Sequence, residues 1–483
     1  MAHNPNPVTD GPVYDARALG VPRMLLLGFQ HTFAMFGATV LVPMLTGLSI
    51  ATTLMMAGLG TLFFHLVTKG KVPAFLGSSF AFLGGYAAVA PLAGKTLEDG
   101  SFMSNAQLLP YACLGVACAG LVYLILAGLF RLYGINKVMR FFPPVVTGPI
   151  IISIGLGLAG SAVNNCGSNW LLAVIALAIV IIFNIWGKGM SKIIPILLGV
   201  LGSCAVAAIL ALCFGETIAV QEGDKLVEYI ALGGNVNLKL FSVAALDNLK
   251  AAAWIGFPIK TSQTVFGIDW SNTSLIISSI VAIMPLSLAT MMEHIGDISA
   301  ISSTVGKNFI KDPGLHRTLI GDGIATSIAA LFGAPANTTY GENTGVLALS
   351  RVYDPRVIRL AAIIAVILSF SPKFAALVSL IPTAIIGGIS FVLYGMISAI
   401  GVRNVVENKV DFTKSRNLII AAIILVSALG LGTVSFAIGS VTISLSALAV
   451  ASILGILLNA ILPGNDYKFK KDDELPESTT FNI

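Results

Sequence analysis

Charged residues are scarce in this sequence. Asp, Glu, Lys and Arg make up only 11% of its 483 residues, whereas soluble domains carry about 25%. Hydrophobic residues make up 56%, and the mean hydropathy is +0.90. A soluble fold of this size would need a polar surface that these residues cannot supply. The composition therefore excludes a cytosolic enzyme, a nucleic-acid-binding protein and a disordered scaffold, and it predicts a protein embedded in a lipid bilayer.

Cysteine and histidine are scarce as well. The five cysteines form no Cys-x-x-Cys pair and lie mostly in apolar runs, so we interpret them as small core residues rather than disulfide or metal ligands. The five histidines show no His-Glu-x-x-His spacing, the pattern of a zinc hydrolase. The sequence also lacks a phosphate-binding P-loop. We therefore expect no cofactor, no metal and no ATP-driven pump.

Long apolar runs recur along most of the chain. A transmembrane helix needs about 20 predominantly apolar residues, and by that measure the sequence predicts an all-α polytopic membrane protein with about fourteen spans. The windows before the polar segment 216–272 are 24–46, 52–68, 74–92, 107–130, 144–162, 170–187 and 192–215. Those after it are 273–299, 318–333, 336–350, 357–371, 376–399, 417–433 and 441–462. Residues 1–23 show no cleavage signal, so the first span is expected to stay as an anchor.

The basic residues predict how the spans are oriented. Most of the 28 lysines and arginines fall on the inner side if both termini face the cytoplasm, as the positive-inside rule requires. The polar segment 216–272 divides the chain into two halves with the same odd number of spans, so the halves have opposite orientations. We therefore predict a multi-pass protein of the cell membrane, built as an inverted repeat of about seven plus seven spans.

Three acidic residues lie deep in predicted spans, where ionisable groups mark function by default. They are Glu293, Asp297 and Glu342. Glu293 and Asp297 are four residues apart and share one face of a helix. Because the ionisation of grouped carboxylates costs both desolvation and repulsion, such a group can serve as a proton site. The alternative is that these acids cap helix ends or pair with a buried base.

Asp322 is a marginal fourth acid near the start of its span. We expect a structural role for it, since Arg317 and the cytoplasmic surface are close in sequence. His294 follows Glu293 directly, about 100° around the helix, so we expect its side chain to face elsewhere.

Spans three and ten interrupt the apolar pattern in the same way. Residues 73–82 read PAFLGSSFAF and residues 333–343 read GAPANTTYGEN, so SSFA in the first matches TTYG in the second. We predict in each a short extended stretch that leads into a half-helix whose N-terminus points to the membrane midplane. Unpaired N–H groups there are tolerated only where they line a cavity, and they favour acceptor atoms of a ligand. A pair of ordinary kinks is the alternative.

One of these breaks begins a motif of a known family. Residues 342–351 read ENTGVLALSR, which resembles the signature of the nucleobase–ascorbate transporters: Gln or Glu, Asn, any residue, Gly, four variable positions and Thr. Ser350 replaces that Thr and keeps the hydroxyl. Gln30 with His31, GATVLVP at 37–43, GSSFAF at 77–82 and KDPGLHR at 311–317 resemble the uracil permease branch. The similarity runs from the first span to the last and is weakest in 216–272.

The resemblance implies a division into two domains, commonly paired as a homodimer. The implied core domain comprises spans 1–4 and 8–11, at 24–143 and 273–371. The implied gate domain comprises spans 5–7 and 12–14, at 144–215 and 372–463. Residues 1–23 and 464–483 would be cytoplasmic tails, and 216–272 an extracellular or periplasmic loop.

The resemblance also implies a uracil site. By similarity, Glu293 and Glu342 accept the ring N–H groups of uracil, and the backbone N–H groups of Phe80 and Gly341 donate to its carbonyl oxygens. Tyr340 and Ala38 would shape the pocket. Ser79 and Asn343 are expected to support it, as is His31 through hydrogen bonding from span one, with satisfied core packing as the equal alternative for His31. A uracil edge alternates carbonyl and N–H groups, and a missing partner would leave a buried polar group unsatisfied.

The sequence thus predicts a secondary-active symporter that imports uracil with protons, coupled through Glu293, Asp297 and Glu342. Asp297 replaces the His of the familiar uracil permease, as in many purine-transporting relatives, so a xanthine or urate symporter is the alternative within the family. A Gln in place of Glu342 would have favoured purines. A passive channel for small solutes or anions and a membrane-embedded enzyme are the alternatives from other classes.

Overall fold

The computed structural model describes residues 11–96, 101–222, 225–432, 434–438 and 441–464. Residues 1–10 of the predicted N-terminal tail and 465–483 of the predicted C-terminal tail lie outside these ranges. So do residues 223–224 of the predicted polar loop and residue 433 at the end of a predicted span.

The described chain is mostly helical, as predicted. The helices are α1 Val21–Thr46, α2 Ile50–Val67, α3 Leu83–Val89, α4 Asn105–Tyr133, α5 Ile135–Met139, α6 Pro144–Cys166, α7 Trp170–Trp186, α8 Met190–Ile193, α9 Pro195–Phe214, α10 Val243–Ala251, α11 Thr273–Ile283, α12 Ser287–Val305, α13 Leu315–Leu331, α14 Gly341–Ser350, α15 Pro355–Ser369, α16 Pro372–Ser379, α17 Thr383–Glu407, α18 Ser415–Gly430 and α19 Ala447–Ile461. The strands are β1 Leu76–Ser78, β2 Lys95–Thr96, β3 Phe102–Met103, β4 Gly215–Glu222, β5 Lys225–Leu232, β6 Lys239–Ser242, β7 Asn337–Thr339, β8 Val434–Ile438 and β9 Val441–Leu445.

The length and apolar composition of the helices are those of a multi-pass membrane protein. Among the described residues, seven helices are long and apolar enough to cross a membrane, with α11 and α12 together forming one of them. The count rises to eight if α15 and α16, which meet at a bend of 89°, are one span. The other predicted spans are shorter or broken helices, so the total of fourteen stays a prediction. Span eight is one of the seven, at Thr273–Val305, although a 3₁₀ turn at Met284–Leu286 separates α11 from α12 within it. Pro285 in that turn cannot donate a helical hydrogen bond.

Local sequence explains where several helices begin. Pro144, Pro195 and Pro355 are the first residues of α6, α9 and α15, a position where the missing N–H of proline removes no helical hydrogen bond. Asn169 precedes α7, and its Oδ1 accepts from the backbone N of Leu172 at 3.2 Å. Such side-chain caps stabilise a helix start by about 1 kcal/mol.

Two predictions about the polar and terminal segments were wrong. The predicted loop 216–272 is partly a three-stranded antiparallel sheet, β4–β5–β6, followed by α10. The last span does not begin at residue 441, because 441–445 form β9, paired with β8, and α19 begins at Ala447. The run VTISL at 441–445 alternates apolar and hydroxyl residues, which favours a strand over a helix. The predicted all-α class, which allowed extended backbone only at the breaks in spans three and ten, therefore omitted three small antiparallel sheets of the described chain, β2–β3, β4–β5–β6 and β8–β9.

The long helices pack in two groups. In the first, α13 packs on α4 and α2, and α15 packs on α2 and α1. In the second, α17 packs on α6 and α7, while α18 packs on α19 and α6. Small residues allow the close crossings, as at Gly155, where an added Cβ would lie 2.1 Å from the carbonyl oxygen of Tyr394. Such small-residue contacts are typical of helices within membranes.

Candidate functional site

The two predicted breaks meet each other in the first helix group. Strands β1 and β7 pair antiparallel, with Gly77 opposite Thr338, so the extended stretches predicted in spans three and ten are confirmed. The ladder continues at both ends, because Ser79 N donates to Ala336 O at 2.9 Å and Tyr340 N donates to Phe75 O at 3.1 Å. Each strand therefore satisfies part of the backbone of the other in a region where no regular helix could do so.

A helix starts directly after each strand. The 3₁₀ turn Phe80–Phe82 leads into α3, and α14 begins at Gly341. The first N–H groups of a helix have no partner within that helix, and the helix dipole adds positive potential there. Phe80 itself is buried, whereas Gly341 is exposed. The crossing therefore brings two helix starts, with donors for a ligand, to one place.

Three carboxylates gather at the same place. Helix α12, which carries Glu293 and Asp297, packs against α14, which carries Glu342 in its first turn. All three residues are half-buried. Glu293 interacts electrostatically with Glu342, and Asp297 with both. An added Cβ on Gly341 would lie 3.9 Å from Asp297 Oδ1. The structure therefore brings together the three acids and the start of α14.

Asp297 accepts a hydrogen bond from a residue of strand β7. Thr339 Oγ1, at the end of β7, donates to Asp297 Oδ2 at 2.8 Å. Sequence reasoning used Thr339 only as part of the matching motif and did not assign this contact. The signal was its position just before the predicted half-helix.

Tyr340 connects strand β1 to the start of α14 and to α1 through hydrogen bonds. Its hydroxyl donates to Ser78 O at 3.0 Å and accepts from Thr39 Oγ1 at 3.1 Å. Its ring covers Gly77, where an added Cβ would lie 2.5 Å from the ring atoms. The polar end of Tyr340 thus bonds to β1 and α1. Ala38, the neighbour of Thr39, is buried in the same apolar cluster as Phe80 and Tyr340.

Asn343 joins α14 to α1. Its Nδ2 lies 3.1 Å from His31 Nδ1 and donates to His31 O, also at 3.1 Å. Both residues are buried, and His31 Nε2 has no hydrogen-bond partner among the described residues. The same holds for the buried Ser79 hydroxyl. The predicted supporting residues His31, Ser79 and Asn343 are therefore buried. Ser79 directly precedes the 3₁₀ turn at Phe80, and Asn343 lies in the first turn of α14.

The expected environment of Asp322 was wrong. Asp322 is fully buried, and its Oδ2 lies 2.9 Å from Nδ1 of the equally buried His294. Arg317 donates instead to Val67 O at 3.3 Å. That His294 faces away from Glu293 stays a prediction. The pairing was missed because α12 and α13 join these two residues only through tertiary packing.

One aromatic residue reaches this region from the second helix group. The ring of Tyr394, on α17, contacts that of Phe80 edge-on, with centroids 5.8 Å apart. Such edge-to-face pairs contribute about 0.5–1.5 kcal/mol beyond the buried area. Sequence reasoning treated Tyr394 as an interface or core residue, since nothing local to α17 marks it. Among the described residues, no group of three or more His, Cys, Asp or Glu side chains could hold a metal ion.

Comparisons with known proteins show which proteins this chain is similar to. A family model described as "Permease family" matches residues 22–437. The uracil permease of Bacillus caldolyticus is 38% identical over 456 residues, which cover 92% of this chain and 93% of that protein. The uracil permease of Bacillus subtilis is 39% identical and covers 90% of this chain and 91% of its own length. The uracil permease of Escherichia coli K12 is 33% identical, with 92% and 94% covered.

Solved structures of other transporters share the fold. The transmembrane domain of the cyanobacterial bicarbonate transporter BicA aligns with a TM-score of 0.59 at 14% identity and covers 93% of this chain and 99% of that one. SLC26A9 aligns with a TM-score of 0.60 at 12% identity and covers 93% of this chain and 66% of that one. At these identities the likeness concerns the fold.

Proposed function

The chain belongs to the nucleobase–ascorbate transporter family, and we propose that it is a secondary-active symporter that imports uracil with protons. One observation carries the proposal: Glu293, Asp297 and Glu342 lie beside the start of α14, where β1 and β7 cross. Acceptors and donors then face one small volume within the membrane. A flat heterocycle that alternates carbonyl and N–H groups is a ligand that such a volume can satisfy.

In the proposed site, the carboxylates of Glu293 and Glu342 accept the ring N–H groups of uracil. The backbone N–H groups of Phe80 and Gly341 donate to its carbonyl oxygens. Ala38 shapes the apolar wall with Tyr340 behind it. Loss of any one partner leaves a buried polar group unsatisfied, which disfavours analogues that lack the matching group by about 1–3 kcal/mol or more.

Two observations favour uracil over purines as the proposed substrate. The relatives of highest identity named above are uracil permeases, and the signature begins with Glu342 rather than Gln. Asp297 is the observation that favours the second candidate, a xanthine or urate symporter, because it replaces the His of the familiar uracil permease. Uptake of labelled uracil in competition with xanthine, urate, thymine and adenine separates the two.

Proton coupling is proposed for the three carboxylates as a group. Their close approach makes it unfavourable for all to be ionised at once in a poorly solvated site. Protonation would reduce this repulsion and would change which atoms can accept from uracil. Binding of substrate and binding of protons are then linked through the same atoms.

Alternating access is proposed to arise from movement between the two helix groups. We identify the group around α1, α2, α4, α13 and α15 with a core domain, and the group around α6, α7 and α17 with a gate domain. The wider topology remains part of the proposal: about fourteen spans in an inverted repeat, both termini cytoplasmic and pairing as a homodimer.

The other classes have less support. An anion channel would favour a basic residue in the breaks, and residues 73–82 and 333–343 contain no Lys or Arg. A passive pore would show neither saturation nor accumulation against a gradient. The relatives are permeases, which supports transport rather than catalysis, and analysis of the labelled product after uptake checks this.

The site is tested by Glu293→Ala and Glu342→Gln, each measured for uracil uptake in reconstituted vesicles. We expect both variants to insert and fold but to lose uptake. Glu216→Gln, a change of the same kind at an exposed acid on β4, should retain it. Full uptake in both site variants would refute the assignment.

The driving force is tested separately by collapsing the pH gradient with an ionophore. Accumulation of uracil should stop, while binding of uracil to the purified protein persists. Unchanged accumulation would exclude protons as the driver and would leave the uracil site intact as a hypothesis.

A further inference from the structure

A second polar feature, separate from the residues of the proposed uracil site, lies at the start of α13. Helix α13 packs between α2 and α4. The contacts fix its direction: Gly321 lies against Phe64 of α2, and Gly323 lies against Gly120 and Tyr123 of α4. The start of α13 therefore meets the ends of both neighbours, at what we propose is the cytoplasmic face.

Basic residues cluster where these three ends meet. They are Lys69 after α2, Arg131 in the last turn of α4, and His316 and Arg317 in the first turn of α13. Arg317 donates to Val67 O of α2 at 3.3 Å, and His316 lies close enough to Arg131 and Arg317 to interact with their charges. The cluster thus combines side chains of α4 and α13 with Lys69 from the turn after α2.

Asp312, an acid close in sequence to His316 and Arg317, does not neutralise the basic cluster. Asp312 pairs with a different residue, Lys71, at 2.5 Å. Among the described residues, no carboxylate forms an ion pair with Lys69, Arg131 or Arg317. An anion from outside the chain would therefore find several positive groups at one place.

Apolar surface continues from the basic cluster into the membrane region. On α4, a stripe of exposed side chains runs towards and just past Arg131: Leu121 is 52% exposed, Ile125 64%, Leu129 39% and Leu132 78%. On α13, Ile320, Ile324 and Ile328 follow Arg317 at helical spacing, and none of them is buried. Residues at these spacings share one helix face. Basic groups thus stand at the end of two adjacent apolar stripes.

We propose that this surface binds an anionic phospholipid. The phosphate lies among Lys69, Arg131, His316 and Arg317, and the acyl chains follow the stripes of α4 and α13. Basic pockets between membrane helices on the cytoplasmic side are suited to anionic headgroups. A free phosphate would use the same charges but would gain nothing from the apolar stripes, so the lipid is the occupant that both features fit.

Native mass spectrometry of the full chain in detergent tests this directly. Dioleoyl phosphatidylglycerol, dioleoyl phosphatidylcholine and inorganic phosphate are titrated in parallel. We expect phosphatidylglycerol to bind more tightly than the other two. Arg131→Gln should weaken its binding about fivefold, and Arg131→Gln with Arg317→Gln about 25-fold.

Matched controls separate charge from folding. Lys188→Gln, an exposed basic residue between α7 and α8, should leave phosphatidylglycerol binding unchanged. Arg131→Lys should preserve it, because the charge remains. Arg131 is exposed, so the single variant is informative even if the double variant folds poorly. Equal binding of the two lipids, undiminished binding in Arg131→Gln, or binding of inorganic phosphate as tight as that of the lipid would each overturn the proposal.

Discussion

The hydrogen bond from Thr339 to Asp297 makes a prediction about a single residue. Thr339→Val keeps the shape of the side chain but removes the donor that lies 2.8 Å from the Asp297 carboxylate. Hydrogen bonds to charged groups contribute about 1.5–3 kcal/mol, so we expect uracil uptake to fall about tenfold or more. The pH profile of uptake should also shift, because Asp297 loses a partner of its ionised form.

The neighbouring residue provides the control. Thr338 is buried on the same strand, and its hydroxyl has no hydrogen-bond partner among the described residues. Thr338→Val should therefore leave both uptake and its pH profile close to those of the unchanged chain. An identical effect of the two substitutions would mean that the strand, not the bond to Asp297, is what matters.

At this scale the sequence predicted residues better than it predicted their contacts. Glu293 and Glu342 could be found because an acid in an apolar span is costly wherever its partner lies. The contacts of Thr339 with Asp297, His294 with Asp322 and Phe80 with Tyr394 could not be found, since tertiary packing alone brings those residues together. A single sequence contains no signal for such pairs.

At the scale of elements, the crossing of β1 and β7 depends on Gly77. Its position under the Tyr340 ring leaves no space for a side chain, because an added Cβ would lie 2.5 Å from the ring. Gly77→Ala should displace Tyr340 and weaken its bonds to Ser78 and Thr39. Overpacking of this kind costs about 1–3 kcal/mol, so we expect a lower melting temperature of the purified protein and reduced uracil binding.

Gly128→Ala is the matched substitution. Gly128 lies within α4, and nothing is found within 4 Å of an added Cβ there. Since Ala favours a helix over Gly by about 1 kcal/mol, this variant should be at least as stable as the unchanged chain. Normal stability and binding in Gly77→Ala would show that the crossing tolerates a methyl group and that the account of the ladder is wrong.

The elements themselves differ in how well they could be predicted. The two breaks stood out because Pro, Gly and hydroxyl residues interrupt apolar runs at matching places in the two halves. The sheet β4–β6 did not, because its strands lie in the one long polar segment, where apolar and polar residues do not alternate regularly enough to predict strands. The hairpin β8–β9 was mistaken for part of a span, since hydropathy alone does not distinguish an apolar strand from an apolar helix.

At the scale of the whole molecule, the proposed alternating access depends on the contact between the two helix groups. Part of it is an apolar crevice lined by residues of α1, α9 and α17 and the turn before α17: Phe36, Gly37, Val40, Leu41, Met44, Ile196, Val200, Ile381, Ile386 and Ile389. Apolar contacts are non-directional, so one surface can move along the other without breaking specific bonds. The sequence could not predict this surface, because every residue in it also fits an ordinary core.

A cross-link through this crevice tests whether the groups must move. An added Cβ on Gly37 would lie 3.5 Å from Ile196 Cβ, a separation that a disulfide can span. In a chain whose five native cysteines are replaced by alanine, Gly37→Cys with Ile196→Cys should form a bond between α1 and α9 on oxidation. Helix α9 packs on α7 and α17 of the second group, so this bond holds the two groups together. We therefore expect oxidised vesicles to lose uracil uptake and to regain it with reductant. Each single cysteine variant should be insensitive to both treatments, and undiminished uptake by the fully cross-linked protein would exclude relative movement of these two helices as a step in transport.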